Sequence, residues 1–271
     1  MPPGRQDVRG AIARASQATG IDFAYLLGQA RVESGLNPQA RAGTSSAAGL
    51  YQFTNATWLN TLDRHGAAHG YGWAADAIEN GRVRDPAMRQ TILAMRFDPA
   101  LAALMAGELA GDNRDALVGV LGREPDAAEL YLAHFLGAGG AGRFLTALAA
   151  DPGQSAAALF PDAAAANKAI FYGPGGAPRS LGEVMGLLRG KMARAMGDAA
   201  DPLAPRADFD AGFGFGTFGG AAPASSPAAA PATAPPRPSM AETLAATFGA
   251  NQPGTPAHVR QAYGKLKAFG L

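Results

Sequence analysis

Cysteine is absent from the 271 residues, which excludes disulfides and every cysteine-ligated metal centre. Charge is scarce as well. Asp, Glu, Lys and Arg make up 17% of the chain, and the net charge is +1. Nucleic-acid binders need a basic excess to neutralise phosphates, so no nucleic-acid partner is expected. No apolar run approaches the roughly 20 residues that cross a bilayer, so no transmembrane segment is expected. The opening MPPGRQDVRGAIARAS lacks the apolar stretch of a secretory signal. Alternating Val, Ile and Thr runs are missing too, which leaves β structure at most a small wing.

What is present is apolar and helical in pattern. Hydrophobic residues reach 48%, enough for a substantial core. Residues 1–198 read as one mostly α domain of lysozyme-like type, its helix starts marked by capping residues. Asp22 precedes FAYLLGQARVES, Asp85-Pro86 and Asp98-Pro99 open two further helices, and Ser180 with Glu183 forms a capping box. The helix behind that box places Leu181, Val184, Leu188 and Ala195 at helical spacing. Gly20, Gly66 and Gly137 are read as stops. Residues 199–238 are rich in Pro, Ala and Gly and read as a linker carrying Phe209, Phe213, Phe215 and Phe218. A coil of this length spans about 35 Å. Residues 239–271 return to a helical pattern. There Val259, Tyr263, Leu266 and Phe269 share a side, and Arg260, Lys265 and Lys267 face elsewhere. Such a tail suits a protein partner, a membrane surface or the domain itself.

The chemistry centres on Glu33. Phe23, Leu26, Leu27 and Ala30 repeat at helical spacing, and Glu33 continues that face three residues on. A carboxyl on a buried face is costly when ionised, so burial favours the protonated form that a general acid needs. Ser34-Gly35 ends the helix and Asn37-Pro38 bars its continuation. Glu33 is therefore expected at a helix end opening onto a loop. His65 and His69 are four apart without a third ligand, and they read as loop residues, so no metal is expected. The clusters GAGGAG and YGPGGAP follow no strand and carry no phosphate-binding lysine, so they read as loops and no cofactor is expected.

Residues 30–58, ARVESGLNPQARAGTSSAAGLYQFTNATW, resemble lytic transglycosylases of the soluble lytic type, relatives of goose-type lysozyme. Glu33-Ser34 stands at the family's Glu-Ser motif. Gly49-Leu50-Tyr51-Gln52 stands at its Gly-Leu-Met-Gln motif, with Tyr in the Met place. The family's Ala-Tyr-Asn-x-Gly motif is best matched by Ala133-His134-Phe135-Leu136-Gly137, with His in the Tyr place and Phe in the Asn place. The resemblance covers roughly residues 5–150.

The resemblance implies that Glu33 protonates the bond between N-acetylmuramic acid (MurNAc) and N-acetylglucosamine (GlcNAc). Glu33 then serves as base toward the muramyl 6-hydroxyl, leaving a 1,6-anhydro end. One carboxylate suffices where most glycosidases need two. No acid lies between Glu33 and Asp63, and Asp63, Asp76 and Glu79 read as solvated charges. The family tyrosine beside the glutamate is replaced by either His134 or Tyr131. Ser34, Ser45, Ser46 and Gln52 are expected to bind sugar hydroxyls and acetamido groups. Tyr51 and Phe53 are expected to stack on sugar rings, with Phe135 nearby. Trp58 reads as core. The expected substrate is the glycan strand of peptidoglycan, in the periplasm or cell envelope. The tail is expected to meet an envelope, flagellar, secretion or phage component. A hydrolytic muramidase and a non-catalytic wall-binding assembly protein are the alternative readings.

Overall fold

In the computed structural model, residues 5–43 and 45–200 are described. Thr44, nearly all of the expected linker with its phenylalanines, and the whole expected tail lie outside them. The described residues form eleven α-helices. These are α1 (Arg5–Thr19), α2 (Phe23–Ser34), α3 (Asn55–His65), α4 (Gly72–Asp76), α5 (Pro86–Ala94) and α6 (Pro99–Leu121), then α7 (Ala127–Ala150), α8 (Ala156–Leu159), α9 (Pro161–Ala166), α10 (Lys168–Phe171) and α11 (Leu181–Ala200). Among the described residues, β structure amounts to isolated bridges. Two of them, Arg41 with Ala48 and Ala48 with Phe53, fold the loop after α2 into a small wing. The mostly α class read from the sequence is the class observed among the described residues.

The helix starts follow the capping residues. The Asp22 carboxylate accepts from the Tyr25 N–H at 2.8 Å, Asp85 from Met88, and Asp98 from both Ala100 and Leu101. Ser180 and Glu183 exchange both bonds of a capping box. Asp126 and Glu129 build a further box at the start of α7. Each cap satisfies N–H groups that the first turn leaves unpaired, worth about 1 kcal/mol.

α2 is the axis of the domain. Tyr25 through Ala30 are all buried, so the helix is covered all round rather than on one stripe. α1, α6 and α11 pack against it. Small residues set the closest approaches. A side chain at Gly28 would meet Met196 of α11 at 3.0 Å, and one at Gly142 of α7 would meet Val120 of α6 at 3.2 Å. This explains the fate of GAGGAG, which lies inside α7 and not in a loop. Its last glycine, Gly142, serves a helix crossing. Gly137 does interrupt the helix, as expected. It takes φ 75° and ψ 159° and kinks α7 in mid-course. YGPGGAP is a loop, pinned by a bridge from Tyr172 to Pro178.

Trp58 is fully buried, with its indole N–H donated to the Ile92 carbonyl at 2.8 Å and Phe53 edge-on to its ring. The loop before it turns at Gly49, where φ is 82° and a Cβ would run into the Arg96 carbonyl oxygen. Gly49→Ala therefore combines backbone strain with a backbone clash. It should lower stability by roughly 2 kcal/mol or more, read as a lower urea midpoint with an unchanged slope.

Candidate active site

Glu33 occupies the last turn of α2. The helix ends because Gly35 adopts the left-handed region (φ 60°) and its N–H returns to the carbonyls of Ala30 and Arg31. Leu36 follows, also at positive φ (66°), and turns the chain sharply away. Ser34 fixes this exit. Its hydroxyl donates to the Leu50 carbonyl at 2.7 Å, tying the helix end to the returning loop.

The Glu33 side chain is 1% exposed. Its Oε1 accepts the Tyr131 phenol hydrogen at 2.9 Å, a contact between α2 and α7 that joins residues 98 apart. His134, one turn further along α7, brings its Nε2 to 3.6 Å from the same oxygen, too far for a hydrogen bond. The Tyr131 and His134 rings stack at 6.0 Å. Glu33 Oε2 and His134 Nε2 are both buried without a hydrogen-bond partner. Between the two residues that sequence left open, the hydrogen bond goes to Tyr131.

Tyr131 is suited to remain a donor. Burial first, then the Glu33 charge and the bond given to it, push the phenol well above its ordinary range. Tyr25 on α2 is raised by burial and by the same Glu33 charge. Lys191 on α11 also feels Glu33. Burial lowers its ammonium to about 8 against the upward pull of that carboxylate, and Arg194 lowers it further.

Other expected site residues are placed differently. Tyr51 and Phe53 are 0% and 1% exposed, so neither ring offers a face to a sugar in this state. The Tyr51 hydroxyl donates to the Leu26 carbonyl of α2, and Phe53 is part of the Trp58 core. Phe135 is buried against Phe171. Gln52 takes a left-handed backbone (φ 49°), and its amide donates to the Gly49 and Ala40 carbonyls, holding the loop. Ser45 and Ser46 are exposed. Their hydroxyls accept from Ala47 N–H and Asn55 N–H, and they remain reachable by solvent. Glu33 does stand at a helix end before a loop, but its side chain is shielded from solvent, and α11 packs along α2 and α7.

Sequence reasoning missed three residues. Arg96 is 6% exposed and donates to the carbonyls of Ser46, Phe53 and Leu93, binding the loop to the helices beneath it. Burial brings its guanidinium down to about 10. Tyr25 was hidden by the fully buried character of its helix. Lys191 carried a visible signal, since it falls in the stripe Leu181, Val184, Leu188, Lys191, Ala195 where an apolar residue is due.

His65 and His69 are not free loop residues. His65 Nε2 lies 2.9 Å from Asp112, its Nδ1 lies 3.2 Å from Glu108, and His69 Nε2 lies 2.6 Å from Glu108, so the pair ties the end of α3 to α6. Among the described residues, no group of three or more His, Cys, Asp or Glu is placed to hold a metal ion. No described helix is long and apolar enough to cross a membrane.

Residues 10–80 match the family model of the transglycosylase SLT domain. The SLT segment thus begins in α1, contains α2 with Glu33, and ends beyond α4. It supports action on peptidoglycan of the lytic transglycosylase type. Tyr131, whose phenol holds Oε1, and His134, 3.6 Å from the same oxygen, lie outside the SLT segment. Tyr131→Phe removes the donor to Oε1 and leaves a second carboxyl oxygen buried without a partner. It should lower unfolding free energy by about 1–3 kcal/mol, measured by urea denaturation.

Proposed function

We propose that this protein cleaves the MurNAc–GlcNAc β-1,4 bond of peptidoglycan with Glu33 as its single acid/base, leaving 1,6-anhydro-MurNAc ends. The observation that carries this reading is the split in the carboxyl group. Oε1 is held by Tyr131, while Oε2 is buried with no partner of its own. Buried polar atoms are almost always hydrogen-bonded, and an orphaned carboxyl oxygen at a helix end calls for an explanation. A glycosidic oxygen, and later a sugar hydroxyl, would be its missing partner.

The chemistry then runs in two halves. Glu33 gives its proton from Oε2 to the glycosidic oxygen as the bond to the muramyl anomeric carbon breaks. The GlcNAc portion leaves with that proton. The muramyl 6-hydroxyl attacks the anomeric carbon, and the Glu33 carboxylate takes the hydroxyl proton, which restores the acid. No water is consumed. Tyr131 fixes the carboxyl orientation through both halves, since its own proton is held tightly. No acid lies in residues 34–62, and Asp63, Asp76 and Glu79 are exposed, in keeping with a one-carboxylate mechanism. A glycan reaches Oε2 only after the surroundings of Glu33 part, so the described state is the closed one. We place this action in the periplasm or cell envelope. The segment beyond residue 200 is the handle for an envelope, flagellar, secretion or phage partner.

Digestion of purified sacculi, with mass spectrometry of the products, tests the reading. The wild type should release fragments whose muramyl ends are lighter by one water. Glu33→Gln should lower release by on the order of 10²–10⁴-fold. Reducing, hydrated muramyl ends would make the protein a muramidase on the same scaffold. Binding without cleavage by both forms would make it a wall-binding protein.

A further inference from the structure

Among the described residues, three buried side-chain atoms stand without a hydrogen-bond partner: Glu33 Oε2, His134 Nε2 and Gln29 Oε1. The first two belong to the site already described. Gln29 lies one turn before Glu33 on α2 and is 2% exposed. Tyr25, Gln29 and Glu33 recur at every fourth position, so they share one side of the helix, with successive Cβ atoms about 5–6 Å apart. This row is polar, whereas Leu26, Leu27 and Ala30 beside it are apolar and fully buried. Glu33 at one end of the row meets Tyr131 of α7 at 2.9 Å and His134 at 3.6 Å. The carboxylate also raises the Tyr25 phenol at the other end. A carboxamide oxygen placed in the middle of such a row, with nothing to accept, costs stability unless a ligand completes it.

We propose that Gln29 is a specificity-determining residue for amino-sugar glycans, its carboxamide pairing with the acetamido group of the muramyl sugar that Glu33 acts on. This deepens the proposed glycan-cleaving role of Glu33 and rests on it. Gln29 Oε1 is an acceptor, so its partner brings an O–H or an N–H. Gln29 stands a turn deeper than the reacting carboxyl, so a side arm of the sugar reaches it and the pyranose ring does not. The muramyl sugar carries lactyl, hydroxymethyl and acetamido arms. The lactyl arm ends in a carboxylate or a peptide, and a dry site rejects it. The hydroxymethyl arm supplies the 6-hydroxyl to Glu33 Oε2. The acetamido arm remains. Its N–H meets Gln29 Oε1, and its carbonyl accepts from the Gln29 amide nitrogen, as one carboxamide meets another. Its methyl group suits a surface that includes the buried Tyr25 and Tyr131 rings. Gln52, expected from sequence to bind such a group, gives its amide to the Gly49 and Ala40 carbonyls instead. The parting that admits a glycan to Oε2 opens the way to Gln29 as well.

A buried acceptor discriminates because a sugar without a donor of the right reach leaves it unpaired. A hydroxyl at carbon 2 is too short to span the turn between Glu33 and Gln29.

The test uses the full chain carrying Glu33→Gln, with and without Gln29→Leu. Binding is measured by calorimetry for a β-1,4-linked N-acetylglucosamine oligosaccharide and for a cello-oligosaccharide of the same length, which has a hydroxyl in place of each acetamido group. The Glu33→Gln protein should prefer the N-acetyl oligomer by about tenfold or more. Adding Gln29→Leu should remove most of that preference while Tm stays level or rises, because the unpaired oxygen is gone. A glutamine needed only for packing would lower Tm and leave the preference alone, and that result would overturn the inference. Equal binding of the two oligomers by the Glu33→Gln protein would overturn it too. Should Gln29→Leu fail to fold, the side-chain amide resonances of nitrogen-15-labelled Gln29 decide the matter. They should shift on addition of the N-acetyl oligomer and stay in place with the cello-oligomer, and the same response to both would refute the pairing. Sacculus digestion by the Glu33→Gln protein would sink the acid/base role of Glu33. The binding preference, read separately, would still decide the role of Gln29.

Discussion

A hydrogen bond from a phenol to a carboxylate oxygen organises this molecule. Tyr131 of α7 reaches Glu33 of α2 at 2.9 Å in a region where both side chains are almost wholly shielded from water. At low effective dielectric such a bond is strong, and an unpaired carboxyl there would be expensive. It fixes one oxygen and leaves the other buried without a hydrogen-bond partner. It also fixes the relation between the helix that carries the acid and a helix nearly a hundred residues away. The loop clamps serve the same end. Ser34 on Leu50, Gln52 on Gly49 and Arg96 on Ser46 and Phe53 hold the turn after Glu33 in one shape.

The residues that surround the acid do not come from one stretch of chain. The SLT segment supplies Glu33 and its loop, and the later helix α7 supplies the phenol that holds the carboxyl. This division has a physical logic. A carboxyl at a helix end facing only its own loop would be solvated and ordinary. Helices packed over it remove water and fill the space with groups of chosen polarity. Glycine and other small residues make that close packing possible, at Gly28 under α11 and at Gly142 where α7 crosses α6.

Much of the fold was legible in the sequence because helix starts are local events. Asp22, Asp85, Asp98 and the Ser180–Glu183 box all cap the helices they were read to cap. Glu33 was legible as a carboxyl continuing an apolar face. What failed to show depends on tertiary packing. GAGGAG looks like a loop, yet past the break at Gly137 its residues are helical, with Gly142 set against Val120 of α6. Tyr51 and Phe53 look like sugar platforms, since an aromatic in a loop has no local mark of burial. Their rings turn inward because the loop is cinched by Gln52 and Arg96. The choice between Tyr131 and His134 turned on their order along α7, three residues apart and so at different heights beside Glu33.

A crystal structure of the protein with a bound peptidoglycan glycan tests the central claim most directly. The account predicts Tyr131 still donating to Glu33 Oε1 and a glycosidic oxygen within hydrogen-bonding reach of Oε2. A glycan bound elsewhere, or Glu33 swung out to solvent with Tyr131 bonded to another group, would contradict it.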